Sequence, residues 1–456
     1  MLKKTVSLFL VVLLLIGMIP MAAFAEQEQS APAPTRQKMV NEIEMYPNIP
    51  TPNEIIDWEQ RAKDYDEFVF DWNPTDGRKY QTIFEDKTNN TFKIPPYYGD
   101  DRIAPDGSQD SLSSFGAVVG ASLVGIDKSD QDGHNYVEQL LAYYWDEYGL
   151  VGPNVNFGEG AWQTHWYTLF SNVLFYQLAD LYPDWDVDDK LISIAEKVYE
   201  MVVVLGGENA DFNHQGFNFD TMEPYDLTWK EPDAAAAAAA ILYWAYQKFG
   251  DEKYLQGAIW SMDYLARTEI NPYYEILLNE AGYIAAQLNA FHGTNYDITK
   301  FMRWQLAEKT TVRQWGTAKT NWYGYDMAGV AAAYDTNDNG YAFAMNTFYP
   351  ASTYVPMVRY DQSYARAVGK WVLNIANNAR YFYADQWDEE HQTYPEFIDD
   401  PANVIAYEGF RKKHNGVEMV ASGDPSVYRE LWGLSEDCTD LGLYGSGFVG
   451  FLGAVV

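Results

Sequence analysis

The chain has 456 residues, of which 47% are hydrophobic and 16% aromatic, and it carries a net charge of −34 at pH 7 with one cysteine. So large a negative charge argues against nucleic acid or any other polyanion as partner, because association would add to existing self-repulsion. Cys438 alone cannot form an intramolecular disulfide, so the fold must rest on an ordinary apolar core.

At the N-terminus, MLKK supplies positive charge and TVSLFLVVLLLIGMIPM an apolar run, followed by the small-x-small site Ala23-Phe24-Ala25. This is the pattern of a cleaved export signal over residues 1–25, and it predicts a secreted protein that does not stay in the membrane. Residues 26–50 open on the polar, Pro-rich EQEQSAPAPTRQ and are expected to be a disordered linker. No later segment is long and apolar enough to span a bilayer.

From residue 51 onward helical patterning dominates, and the helices come in pairs. NEIIDWEQRAKDYDEF (53–68) stands first. SSFGAVVGASLVGI (113–126) pairs with HNYVEQLLAYYWDEYG (134–149), and AWQTHWYTLFSNVLFYQLADLYP (161–183) with DDKLISIAEKVYEMVVVLG (188–206). A run of seven alanines after Glu231, Pro232 and Asp233 begins a helix that stops at Gly250, since Ala is the best helix former and Pro suits a first turn. Its partner is DEKYLQGAIWSMDYLART (251–268). The pairs 275–293 with 296–309 and 347–360 with 361–383 follow, and LGLYGSGFVGFLGAVV (441–456) closes the series. In each pair the first helix is apolar or small on nearly every side, as a buried helix is, while the second has one charged face. Links within pairs are tight. Links from the second helix to the next pair are long (67–112, 205–231, 309–345 and 384–440) and hold much of the Trp, Tyr, Asp and Gly. Because each precedes an inner helix, all are expected at one rim, where a site belongs.

This pairing resembles the all-α (α/α)6 toroid, an inner ring of six helices wrapped by an outer ring, over residues 51–456. The alanines then have a structural explanation, since helices converging on one axis leave room only for small side chains. The apolar Val455-Val456 ending reads as the edge of a catalytic-type module cut from a longer, multi-module protein. Proteins of similar architecture are mostly exported carbohydrate enzymes, so the resemblance implies a glycoside hydrolase that cleaves an oligo- or polysaccharide with paired carboxylates at the mouth and needs no cofactor. The alternatives are a polysaccharide lyase on the same scaffold and a sugar-binding protein without chemistry.

Glycosidic hydrolysis needs a proton donor and a second carboxylate. Glu231 and Asp233 precede the alanine helix, with Tyr225 and Trp229 upstream as sugar platforms. Glu275 follows Tyr273 and Tyr274 in NPYYE, and Asp326 ends NWYGYD beside Trp322, Tyr323 and Tyr325. The donor is expected from Glu231 or Asp233, and its partner from Glu275 or Asp326. Each also has an ordinary role open to it: a first-turn carboxylate gains about 0.3–1 kcal/mol from the helix dipole, and Asp326 fits a loop turn. Glu223, Asp424 and Glu430 are weaker candidates. His214, in DFNHQGFNFD, is a candidate substrate contact, and a lyase would instead draw on His214 or Tyr325 as base and Arg359 to neutralise a uronate. The six histidines have no metal-ligand spacing, and no metal is expected. DTNDNG (335–340) opens like a calcium loop but has Asn346 where a bidentate Glu is wanted, so a polar turn is expected there. DKSDQDG (127–133) reads as a solvated turn.

Overall fold

The computed structural model describes residues 35–78, 80–99, 111–155, 162–308, 315–319, 321–322, 324–333, 341–387, 411–414, 417–420 and 442–456. The export signal, the calcium-like turn, Tyr323, Asp424, Glu430 and Cys438 lie outside them. Among the described residues no helix is long and apolar enough to cross a membrane.

Residues 37–456 cluster as one compact unit. It opens on α1 (Asn41–Glu44), α2 (Trp58–Val69), α3 (Ser111–Leu123) and the short α4 (Tyr136–Gln139). Two hairpins follow, α5 (His165–Leu181) with α6 (Asp188–Val204), and α7 (Ala234–Phe249) with α8 (Glu252–Arg267). After α9 (Asn279–Phe291) and α10 (Ile298–Gln305) come α11 (Ala344–Phe348), α12 (Ala351–Met357), α13 (Ala365–Asn378), α14 (Leu443–Ser446) and α15 (Val449–Gly453). The helix-rich expectation and the inner–outer contrast hold. Every alanine from Ala234 to Ala240 is fully buried, whereas α6 buries only Leu191, Ile194, Ala195, Val198, Met201 and Val202, which form one face.

The inner elements pack side by side. α3 lies on α5, α5 on α7, α7 on α9 and α9 on α12; α12 and α11 meet α15, and α14 and α15 return to α3. Outside them, α2 lies against α15 and α3, α6 and α8 against α7, α10 against α9, and α13 against α12. Glycine permits the closest approach. A Cβ on Gly120 of α3 would stand 2.0 Å from the Gly447 carbonyl oxygen, so these two backbones meet with no side chain between them.

Several expectations are corrected. The fold is not purely helical: small antiparallel sheets of two or three strands stand in and between the links, one of them joining Trp162–Thr164, Gly216–Asn218 and Glu223–Tyr225. Links lying against the core must pair their backbone N–H and C=O groups, and hairpins are the local way to do so. Residues 37–50, expected as linker, pack instead, because Val40, Ile43 and Tyr46 fall on one face and are buried. The helix expected over 347–360 breaks at Tyr349-Pro350, where Pro cannot donate to the helix ladder. The turn 127–133 is solvated only in part. Lys128 is fully buried, ion-paired to Asp66 of α2 at 2.7 Å, with its ammonium over the Phe70 ring.

Candidate active site

The three-stranded sheet of Trp162–Thr164, Gly216–Asn218 and Glu223–Tyr225 positions the start of two inner helices. His165 opens α5 directly after the strand Trp162–Thr164, and its N–H donates to the Gln215 carbonyl at 3.1 Å. The Glu231 N–H donates to the His214 carbonyl at 2.8 Å, which fixes the approach to α7. His214 is itself held by Asp226, 3.0 Å from its Nδ1, and Asp226 also pairs with Lys230 and accepts from the Gln215 N–H at 3.2 Å.

Glu231 and Asp233 are both completely buried. One Glu231 oxygen accepts the Trp166 N–H at 2.8 Å and the other accepts the Trp229 indole N–H at 2.7 Å. Burial nonetheless pushes its carboxyl well above the usual carboxylate range, helped by the charges of Asp233 and Glu275. Asp233 occupies the N-cap of α7, yet its side chain makes no capping bond to that helix. Its Oδ2 instead accepts from the N–H groups of Tyr274 and Glu275, at 3.3 and 3.4 Å, while Oδ1 has no partner. Burial pushes its carboxyl up to about 7, against those backbone bonds.

Glu275 is the most exposed of the three at 9% and stands in the link before α9. Asn346 of α11 holds this link by donating to the Glu275 carbonyl at 2.6 Å and reaching the Tyr273 hydroxyl at 3.3 Å. The hydroxyls of Tyr273 and Tyr225 are pushed up by burial, the first also by Asp233 and Glu275 and the second by Glu231, so both stay protonated beside the acids. Trp229 and Tyr274 lie with ring planes 3° apart and centroids 6.4 Å apart. The structure therefore joins Glu231, Asp233, Glu275, Tyr225, Trp229, Tyr273 and Tyr274 in one cluster.

It does not bring Asp326 into that cluster. Asp326 accepts the Ala328 N–H at 3.0 Å, a local turn, and its charge acts on Tyr381. Tyr325 packs edge-on to Tyr381 at 5.2 Å and against Trp387 at 4.7 Å, while Trp322 is buried beside them in the hairpin Asn321–Trp322/Tyr325–Asp326. Arg359 is a plain correction. It is exposed just beyond the C-terminal end of α12, where its charge acts on Tyr283 midway along α9, whereas the acids precede helix N-termini. Glu223 is exposed on its strand.

Sequence reasoning missed Trp166, Asn346, Asp226 and Glu280. The first three act through a backbone N–H, a carbonyl contact and a histidine, none of which has a local signature. Glu280, on the second residue of α9, is buried with Oε1 accepting the Tyr349 hydroxyl at 2.5 Å and Oε2 unpartnered, and burial lifts it to about 7. Among the described residues no group of three or more His, Cys, Asp or Glu could hold a metal ion.

No family model and no curated protein matches the chain. Among solved structures it is similar to a family 76 glycoside hydrolase from a bovine Bacteroides thetaiotaomicron strain, at 12% identity and a TM-score of 0.49, over 88% of this chain and 77% of that one. It is also similar to the cellulase Cel9M of C. cellulolyticum, at 14% identity and a TM-score of 0.43, over 88% of this chain and 98% of that one.

Proposed function

We propose that the chain is an exported glycoside hydrolase, that its inner helices close an (α/α)6 toroid, and that Asp233 and Glu275 are its catalytic pair. The observation that carries this is the meeting of three carboxyl groups, two of them wholly buried, at the starts of two adjacent inner helices beside parallel aromatic rings. Perturbed carboxyls gathered in one place beside sugar platforms are what glycosidic chemistry requires.

The roles follow from the hydrogen bonds. Glu231 has both oxygens engaged and orients Trp229, so it is a positioning residue. Asp233, raised to about 7 with one oxygen unpartnered, keeps a proton near neutral pH and can give it away. That proton passes to the glycosidic oxygen as the bond from the anomeric carbon breaks. Glu275 serves as the second carboxylate, and water supplies the oxygen of the new hydroxyl and the proton that restores Asp233. The platform of Trp229 with Tyr274 suits a neutral sugar ring, in keeping with the net charge. A uronate lyase has less support, because Arg359 stands away from the acids.

The test is reducing-end release from a panel of neutral polysaccharides, with absorbance near 235 nm from polyuronates followed in parallel. Asp233→Asn and Glu275→Gln should each lower release at least a hundredfold, in the range expected of general acid–base groups. Asp326→Asn should stay within a few-fold of the parent chain. Full activity in Asp233→Asn, or absorbance in place of reducing ends, defeats the proposal.

A further inference from the structure

Apart from the acids, the inner helices surround a cavity of about 530 Å³, lined on α5 and α7 by residues of their C-terminal halves. Its lining comes mainly from α3, α5, α7, α9, α12 and α15, with Pro183, Leu191 of α6 and Tyr360 just beyond α12 completing it. This volume falls within the range of small-molecule sites, about 300–1,000 Å³. Trp244 and Tyr176 stand on one wall with ring centroids 6.3 Å apart, and Tyr360 on another.

The polar lining is mostly amide. Gln247 donates to the Gln287 Oε1 at 3.1 Å, and Gln177 donates to the Tyr349 hydroxyl at 2.9 Å. Each pair leaves one buried amide atom without a partner, Nε2 of Gln287 and Oε1 of Gln177, and Gln287 is only 1% exposed. Buried polar groups are nearly always satisfied, so one vacant donor and one vacant acceptor around the same cavity call for an explanation. A polyhydroxylated ligand supplies both partners after a small turn of the two amides. Charge is scarce in the lining: Lys248 is paired with Asp188 at 3.0 Å, and Asp180 is a solitary carboxylate on the exposed rim. Among the described lining residues no second acid accompanies it, as cleavage by paired carboxylates requires.

We propose that this axial cavity is a second, non-catalytic carbohydrate site that holds a neutral mono- or disaccharide against Trp244, through Gln177, Gln247 and Gln287. The hydrolase reading enters only in the choice of sugars as probes.

Saturation-transfer NMR on the full chain carrying Asp233→Asn would use glucose, mannose, galactose, xylose, cellobiose, maltose and mannobiose as probes. At least one should show transfer that falls at least fivefold with Trp244→Ala and with the near-isosteric Gln287→Leu. In the otherwise unaltered enzyme, both changes should leave hydrolysis of a soluble oligosaccharide within twofold. Transfer that survives both substitutions, or no transfer from any sugar, overturns the proposal. Activity of Asp233→Asn alone bears on the hydrolase reading and leaves this one standing.

Discussion

At the scale of single residues, burial raises the carboxyls of Asp233 and Glu280 alike, as it does Glu231, but with different consequences. As the proposed proton donor, Asp233 should give kcat/KM an alkaline limb near pH 7, since above its pKa the proton is gone. A pH profile of the parent chain checks this, and the residual activity of Asp233→Asn should lack the limb. Glu280 affects stability instead. Its folded pKa of about 7 lies above the ordinary value of 4.5, so the native state keeps a proton that the unfolded state releases. Stability therefore falls as pH rises from about 4.5 to about 7 and is level above that. Glu280→Gln retains an acceptor for the Tyr349 hydroxyl and removes the titration. Its Tm relative to the parent chain should be higher at pH 8 than at pH 5, and an equal difference at both would mean that Glu280 ionises freely.

At the scale of helices, the sequence made the inner series legible because burial on every side leaves a compositional trace: seven alanines in α7, Gly and Ala in α3, aromatics in α5. The start of α7 was legible too, since Glu231, Pro232 and Asp233 belong at an N-terminus. What Asp233 does was not. It caps nothing in its own helix and reaches the link before α9, a contact 41 residues away that no local pattern encodes. Lys128 illustrates the same limit, because a charged turn gives no sign that one cation folds inward onto Asp66. Asp326 shows another case, an aromatic-flanked acid that accepts a local turn bond from the Ala328 N–H. Two glycines separate packing from propensity. Gly120→Ala would drive a Cβ into the Gly447 backbone and should lower stability by about 1–3 kcal/mol. Gly369, inside α13 with nothing within 4 Å of a built Cβ, should instead gain about 0.5–1 kcal/mol as alanine. Thermal or urea unfolding of the two variants reads both signs.

At the scale of the whole molecule, the decisive contact joins the two ends of the helical series. α14 and α15 pack on α3, and α15 also on α2, so chain segments more than 300 residues apart complete the inner set. Leu443, Phe448, Val449, Phe451 and Leu452 are buried there, and Phe448 stacks with Phe170 at 5.8 Å. Five such side chains at roughly 1.5–3 kcal/mol each amount to about 10 kcal/mol, comparable to the whole stability of a typical domain, about 5–15 kcal/mol. Without them α3 would expose a largely apolar face to water, since Gly116 and Gly120 now touch Phe448 and Gly447 directly. A chain ending at residue 441 should therefore show no cooperative thermal transition and should bind a hydrophobic dye, although its helix content by circular dichroism falls only in part. If the inner helices were instead a stack of independent hairpins, losing the last would leave the first nearly untouched, and the shortened chain would melt cooperatively within about 5 °C of the parent, since about 1 kcal/mol moves the Tm of a large domain by only a few degrees.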